Sequence, residues 1–163
     1  MNASPLKTAA VITISDSSFA GKREDVSGPA IVRELEAANF KVVHASVVPD
    51  EKDAIAVRLI ECCERTRLVV TTGGTGIALR DVTPEATLAV IERRIPGIEE
   101  KMRQEGTKKT PFAALSRGVC GCRGKALVLN LPGSPTAAVE SLQAVIGILP
   151  HALELLDGKT EHN

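Results

Sequence analysis

The sequence predicts an α/β fold built on a mostly parallel sheet. Two observations carry this. Short β-branched, apolar runs alternate with stretches of helical periodicity along the whole chain. Glycines, acids and hydroxyl residues gather in the segments that follow the apolar runs, where open parallel sheets bind their ligands.

The elements follow in order. "AAVITI", Ala9 to Ile14, reads as a buried strand, and "SDSSF", Ser15 to Phe19, as a polar loop after it. Gly28-Pro29 opens a helix to about Asn39, with Ser27 as its N-cap and proline in the first turn. "FKVVHASVV", Phe40 to Val48, is the second strand, broken by Pro49-Asp50. Asp50 is placed to cap a helix from Glu51 to about Arg65. "RLVVTT", Arg67 to Thr72, is the third strand and feeds the loop "GGTG". Thr83-Pro84-Glu85 starts a helix to about Arg94, with Thr83 as the N-cap, and "GIEEKMRQEG" continues as a helix after Pro96-Gly97. Ser116 to Lys125 reads as loop. "ALVLN", Ala126 to Asn130, is a strand, followed by "LPGSP", a helix from about Thr136 to Ile146, and a closing helix in "PHALELL" that ends at Gly158.

Composition narrows the function. The 163 residues are one domain's worth, 1–163, with short flexible ends expected at about 1–6 and 158–163. Twenty Lys and Arg balance twenty Asp and Glu, so the chain has no net grip on a polyanion and no nucleic acid is expected. Trp and Tyr are absent, which removes the usual stacking platform for bases. No apolar run spans a bilayer and the first residues lack a signal-like apolar core, so no membrane association and a cytoplasmic location are expected. Cys62, Cys63, Cys120 and Cys122 fit reduced thiols, since Cys120-Gly121-Cys122 lacks the usual spacing of a zinc knuckle. His151, on an apolar helix, is expected to be a packed structural residue.

The candidate site residues sit in the loops after strands. Gly73, Gly74 and Gly76 surround Thr75 and follow Thr72; such a loop suits an anion nest, though a tight turn explains it as well. It lacks the Walker lysine and the dinucleotide-binding spacing. Asp81 follows it, and Asp50 stands at a neighbouring strand end. Two such carboxylates could converge on one metal ion, or each could simply favour a helix start. Pro132, Gly133 and Ser134 form a second stiff loop, Ser15 and Asp16 share the same rim, and Ser116 precedes Arg117, which could meet a phosphate or a surface acid. No Ser-His-Asp or Cys-His pairing stands out, which disfavours a covalent nucleophile.

"TTGGTG…RDVTPEAT", "PGIEEKMR", "LSRG" and "NLPGSP…PHALELL", in this order, resemble the MogA/MoaB family of molybdenum-cofactor biosynthesis, over nearly the whole chain. The resemblance implies a three-layer α/β/α sandwich, the molybdopterin-binding domain fold, in a homotrimer. It implies adenylyl transfer: the molybdopterin phosphate attacks the α-phosphorus of MgATP and releases pyrophosphate. Carried over by position, Asp50 and Asp81 are the catalytic acids and hold Mg²⁺. Thr72 and the Gly73–Gly76 loop contact nucleotide and pterin phosphate. Ser15, Asp16, Ser116 and the Pro132–Ser134 loop complete substrate binding. The implied partners are the small molecules themselves, with transient contacts to molybdopterin synthase and a molybdate-insertion protein. Molybdate insertion by this polypeptide is not expected, because the chain is short, with no extension after Asn163 and no molybdate-insertion domain. MoaB-type members that share the pocket without adenylyl transfer supply the alternative, a molybdopterin-binding protein.

Overall fold

The computed structural model describes residues 7–160. The expected flexible ends therefore fall largely outside the described residues. Residues 158–160 do not: they follow the last helix, where the Lys159 N–H donates to the Glu154 carbonyl.

Six strands form one sheet: β1 (Lys7–Ile14), β2 (Phe40–Val48), β3 (Leu68–Thr72), β4 (Arg93–Arg94), β5 (Cys120–Arg123) and β6 (Ala126–Leu131). Their order is β2-β1-β3-β6-β5-β4. The β2-β1-β3-β6 half is parallel throughout, and β5 and β4 add antiparallel pairings at one edge. The helices are α1 (Asp16–Phe19), α2 (Ser27–Ala37), α3 (Lys52–Arg65), α4 (Thr83–Val90), α5 (Pro96–Thr107), α6 (Pro135–Val145) and α7 (Leu149–Leu156).

Strand alternation divides the core. Ala9, Val11, Leu68, Val70, Leu127 and Leu129 face α2, α5, α6 and α7, whose Ile31, Leu35, Met102, Leu142 and Leu153 complete that side. Ala10, Ile12, Val69 and Val128 face the other way, onto Ile55 and Leu59 of α3 and Ala86 and Val90 of α4. Successive residues of one strand feed opposite layers, which is why these strands are apolar runs without a polar face. The result is three layers, as expected. Among the described residues no single helix is long and apolar enough to cross a membrane.

Several expected boundaries move. The helix after Thr83 stops at Val90 rather than Arg94, and Arg93–Arg94 pairs with Cys122 and Gly121. The segment read as loop thus contains β5. Gly121 makes the pairing possible, because a Cβ there would press on the Ile91 side chain and lie 2.6 Å from the Arg93 carbonyl. Gly124, at φ +55°, turns the chain back into β6. Ser15–Phe19 is not simply loop: Ser15 caps the short α1 by accepting from the Ser18 N–H. His151 is exposed rather than packed, since Leu149 and Leu153 form the buried face of α7; its ring nears Glu154. The four cysteines are free thiols, and burial raises Cys63 and Cys120 to about 12.

Candidate active site

The parallel strands end along one rim, and the loops there are tied together by their own polar groups. Gly73 and Gly74 leave β3 at φ +102° and +67°, conformations that exclude a β-carbon at low cost. The Gly73 N–H donates to Leu131 O at 3.1 Å and Thr72 Oγ1 to Pro132 O at 2.7 Å, so the loops after β3 and β6 are joined. Gly133 packs against Gly73, with room for a Cβ only 3.3 Å from the Gly73 Cα. The Thr83 hydroxyl and N–H donate to the carbonyls of Gly73 and Gly74. Thr83 therefore does not cap α4, whose N-cap position falls on Val82 without a side-chain bond.

With their carbonyls engaged, the N–H groups of Gly74, Thr75 and Gly76 donate to no acceptor among the described residues. Three unpaired amides in one turn make an anion-binding concavity. Arg117 braces its far side: Nε donates to Gly76 O at 2.7 Å and Nη2 to Asp81 O at 2.8 Å, while Nη1 pairs with Glu85. Arg117 thus meets a surface acid, one of the two roles the sequence left open for it. Ser134 caps α6, accepting from the Ala137 N–H, beside that loop.

The acids are arranged reciprocally. The Asp16 N–H donates to Asp50 Oδ2 at 2.9 Å, and the Asp50 N–H to Asp16 Oδ1 at 3.0 Å. Asp50 is thus not the cap of α3, which begins after Glu51 without a side-chain cap. A backbone donor at the end of β1 competes for its carboxylate and wins. Arg80 clamps Asp16 through Nε and Nη2 and also reaches Glu51. Asp16 is held below the usual carboxylate range by that guanidinium, with help from the Asp50 N–H. Asp50 goes the other way: burial raises it, and the negative charges of Asp16 and Asp81 add to the rise. Asp81 Oδ2 accepts from the Ala78 N–H at 3.0 Å. Asp50 and Asp81 each keep one carboxylate oxygen without a partner among the described residues.

Two cavities open between these loops, and they meet. The first, of about 420 Å³, is largely apolar and takes in Thr75, Gly76, Ser116 and Pro132 of the sequence-predicted set. The second, of about 510 Å³, takes in Ser15, Asp50, Thr72, Gly73 and Ser134. Gly74, Asp81 and Gly133 line both. Asp16 lines neither; it stands on the rim and holds Asp50. Among the described residues Asp50 and Asp81 gain no third His, Cys, Asp or Glu that would complete a protein-only metal cage. Two carboxylates beside the glycine loop, each with one free oxygen, instead suit a cation that takes its remaining ligands from phosphate and water.

Three residues escaped the sequence reading. Arg23 is the only Lys or Arg lining the second cavity, and its guanidinium donates to no acceptor among the described residues. Arg103, in the wall of the first, donates to the carbonyls of Ser116 and Gly118 and fixes that turn. Glu140 lines the first cavity from α6. The basic pair Lys22-Arg23 in a glycine-led loop was a usable signal, and Arg103 ends the quoted stretch "PGIEEKMR"; nothing local marked Glu140.

Residues 10–151 match the family described as "Probable molybdopterin binding domain". A molybdopterin adenylyltransferase of Helicobacter pylori J99 is 44% identical over 152 residues, covering 91% of this chain and 86% of that protein. The molybdenum cofactor synthesis protein cinnamon of Drosophila melanogaster is 46% identical over 154 residues; the match covers 91% of this chain but 25% of that longer protein. The crystal structure of the molybdopterin biosynthesis enzyme MoaB of Thermus thermophilus superposes with a TM-score of 0.89 at 48% identity, covering 94% of this chain and 98% of that one.

Proposed function

This chain belongs to the molybdopterin-binding domain family, and we infer that it is a molybdopterin adenylyltransferase of molybdenum-cofactor biosynthesis, the activity for which its Helicobacter relative is named. One observation carries the inference to mechanism: two cavities of different character share a wall made of Gly74, Asp81 and Gly133. A reaction between two substrates needs two sites that touch at one point.

The apolar first cavity takes molybdopterin and the polar second cavity takes ATP. The phosphate oxygen of molybdopterin attacks the α-phosphorus of ATP. The bond to the β-phosphate oxygen breaks, and pyrophosphate leaves with its electron pair. Such transfers proceed by positioning and charge stabilisation, without a covalent protein nucleophile. The free N–H groups of Gly74, Thr75 and Gly76 hold the reacting phosphate at the shared wall. Ser134 and Gly133, at the start of α6, approach it from the other loop. Ser116 lines the pterin side and Ser15 the nucleotide side. Asp50 and Asp81 would hold Mg²⁺ through their free oxygens, and the bound ion would neutralise phosphate charge. Asp16, through its exchange of hydrogen bonds with Asp50, aims that carboxylate. We extend the proposal to a single cytoplasmic domain acting as a homotrimer, which receives molybdopterin from its synthase and hands the product to a molybdate-insertion protein.

The test is formation of adenylyl-molybdopterin and pyrophosphate from molybdopterin, ATP and Mg²⁺ by the purified chain. The wild type forms both products, and a chelator stops it. Asp81→Asn loses about 10²–10³-fold in turnover, the scale of one electrostatic group in such a site, while still binding molybdopterin. Full turnover by Asp81→Asn refutes the catalytic assignment. Tight molybdopterin binding by a wild type that makes no product establishes the MoaB-type binding protein instead.

A further inference from the structure

The first cavity is lined by three carboxylates, Asp81, Glu99 and Glu140. Two of them are committed. Asp81 belongs to the shared wall. Glu99 is 1% exposed and saturated: Oε1 accepts from Arg94 Nε and the Cys120 N–H, and Oε2 from Arg94 Nη2 and Arg103 Nη2. Glu140 is different. It is half-buried, its one partner is the ammonium of the exposed Lys109 at 2.9 Å, and no hydrogen-bond donor among the described residues engages its second oxygen.

Its position is set by α6. Ala137, Glu140 and Ser141 line the cavity, the i, i+3, i+4 pattern of one helix face. Glu140 lies six residues beyond the cap Ser134, which at 1.5 Å per residue is about 9 Å along the helix from the loop after β6. Met102, Ala113 and Leu115 contribute apolar wall to the same cavity. The cavity therefore offers the anion-binding turn of Gly74 to Gly76, apolar surface, and on α6 a carboxylate with an unengaged oxygen. A ligand with a phosphate and a ring edge that presents N–H donors fits that lining.

We propose that Glu140 is the residue that selects the pterin ring, accepting two N–H bonds from its cyclic guanidine edge, the ring N3–H and the 2-amino group. This rests on the molybdopterin reading of the first cavity. A carboxylate and such an edge pair in two parallel, charge-assisted bonds, a geometry that a ring with a carbonyl in place of the 2-amino group cannot form. It would instead set an oxygen against the carboxylate, and a site built to receive an N–H rejects the analogue that lacks it. Lys109 gives way at little cost, because an exposed ion pair is weakly held.

The experiment measures binding of two probes to the purified full chain, 6-hydroxymethylpterin and its lumazine counterpart with oxygen replacing the 2-amino group, alongside molybdopterin itself. The wild type prefers the pterin by at least about tenfold, a floor for a site that hydrogen-bonds a group the analogue lacks. Glu140→Gln weakens pterin and molybdopterin binding by a similar factor and abolishes the preference, while ATP affinity and the thermal midpoint stay at wild-type values. A structural role would not move the ratio between two probes of one shape. Lys109→Met leaves the preference intact. The proposal is overturned if Glu140→Gln keeps the preference, if the wild type binds both probes equally, or if Lys109→Met reproduces the Glu140→Gln loss. A wild type that binds molybdopterin without preference sinks this inference alone. One that binds no molybdopterin sinks the proposed function with it.

Discussion

Asn130 is 1% exposed and makes three side-chain hydrogen bonds. Its Oδ1 accepts from the Val119 N–H at 3.2 Å, and its Nδ2 donates to the hydroxyls of Thr71 and Thr87, each at 3.0 Å. The Thr87 hydroxyl donates on to Thr83 O, and the Thr83 hydroxyl to Gly73 O, so a buried chain runs from β6 to the glycine loop. Asn130→Ala breaks three bonds worth about 1 kcal/mol each and leaves the Val119 N–H without an acceptor, for a loss of about 3 kcal/mol. Water entering from the first cavity, which Asn130 lines, keeps the figure from rising further. For a chain of this size that loss lowers the thermal midpoint by about 6–12 °C. The assay is a calorimetric or circular-dichroism melt, repeated on Thr87→Ala and on the double variant. The double variant loses less than the sum of the singles, because one bond is shared. A midpoint within about 2 °C of wild type, well under the shift expected for such a loss, or strict additivity, would refute the network.

Three further outcomes follow from the site. Gly74→Ala forces a β-carbon onto Thr83 Oγ1 and to 3.1 Å from Asp50 Oδ1, at φ +67°. It costs about 1–2 kcal/mol for the backbone alone and raises the KM for both substrates, since Gly74 lines both cavities; steady-state kinetics checks this. Arg23→Ala raises the KM for ATP about tenfold and weakens inhibition by pyrophosphate, with the KM for molybdopterin unchanged, the scale of one lost charge-assisted contact; equal effects on both substrates would remove Arg23 from the nucleotide side. Glu99 is pushed up by burial, but Arg94, the Cys120 N–H and Arg103 together hold it below its ordinary value. A depressed folded pKa gives stability that is present above the unfolded value of 4.5 and disappears as pH falls through the folded one. The stability gap between wild type and Glu99→Gln is therefore widest near neutrality and closes below about pH 4.5, as urea titrations at several pH values would report.

The parts of this molecule that could be read from sequence are those set by short-range pattern. Val69-Val70 and Leu127 to Leu129 announce buried strands because parallel strands covered on both faces need no polar alternation. The rim loops followed from the strand ends, and so did Asp50, Asp81 and the glycines. Helix caps were misread for one physical reason. Ser27, Asp50 and Thr83 all stand beside helix starts, yet tertiary partners claimed Asp50 and Thr83, and Ser27 is itself the first residue of α2, whose Gly28 N–H donates to Asp25. A polar side chain near a helix start takes the best donor or acceptor within reach, and here the fold brings one from 34 positions away for Asp50. The β4–β5 pairing was missed because Arg93-Arg94 is two residues long, and its partner strand begins 26 positions later. The same distance argument governs the chemistry. Arg117 braces Gly76 across 41 positions, and Glu140 reaches the first cavity only because α6 packs against α5. Which acids stand at the rim is a local property of strand ends. Which of them keep an oxygen free for a substrate depends on those long-range partners, and that is the property on which catalysis turns.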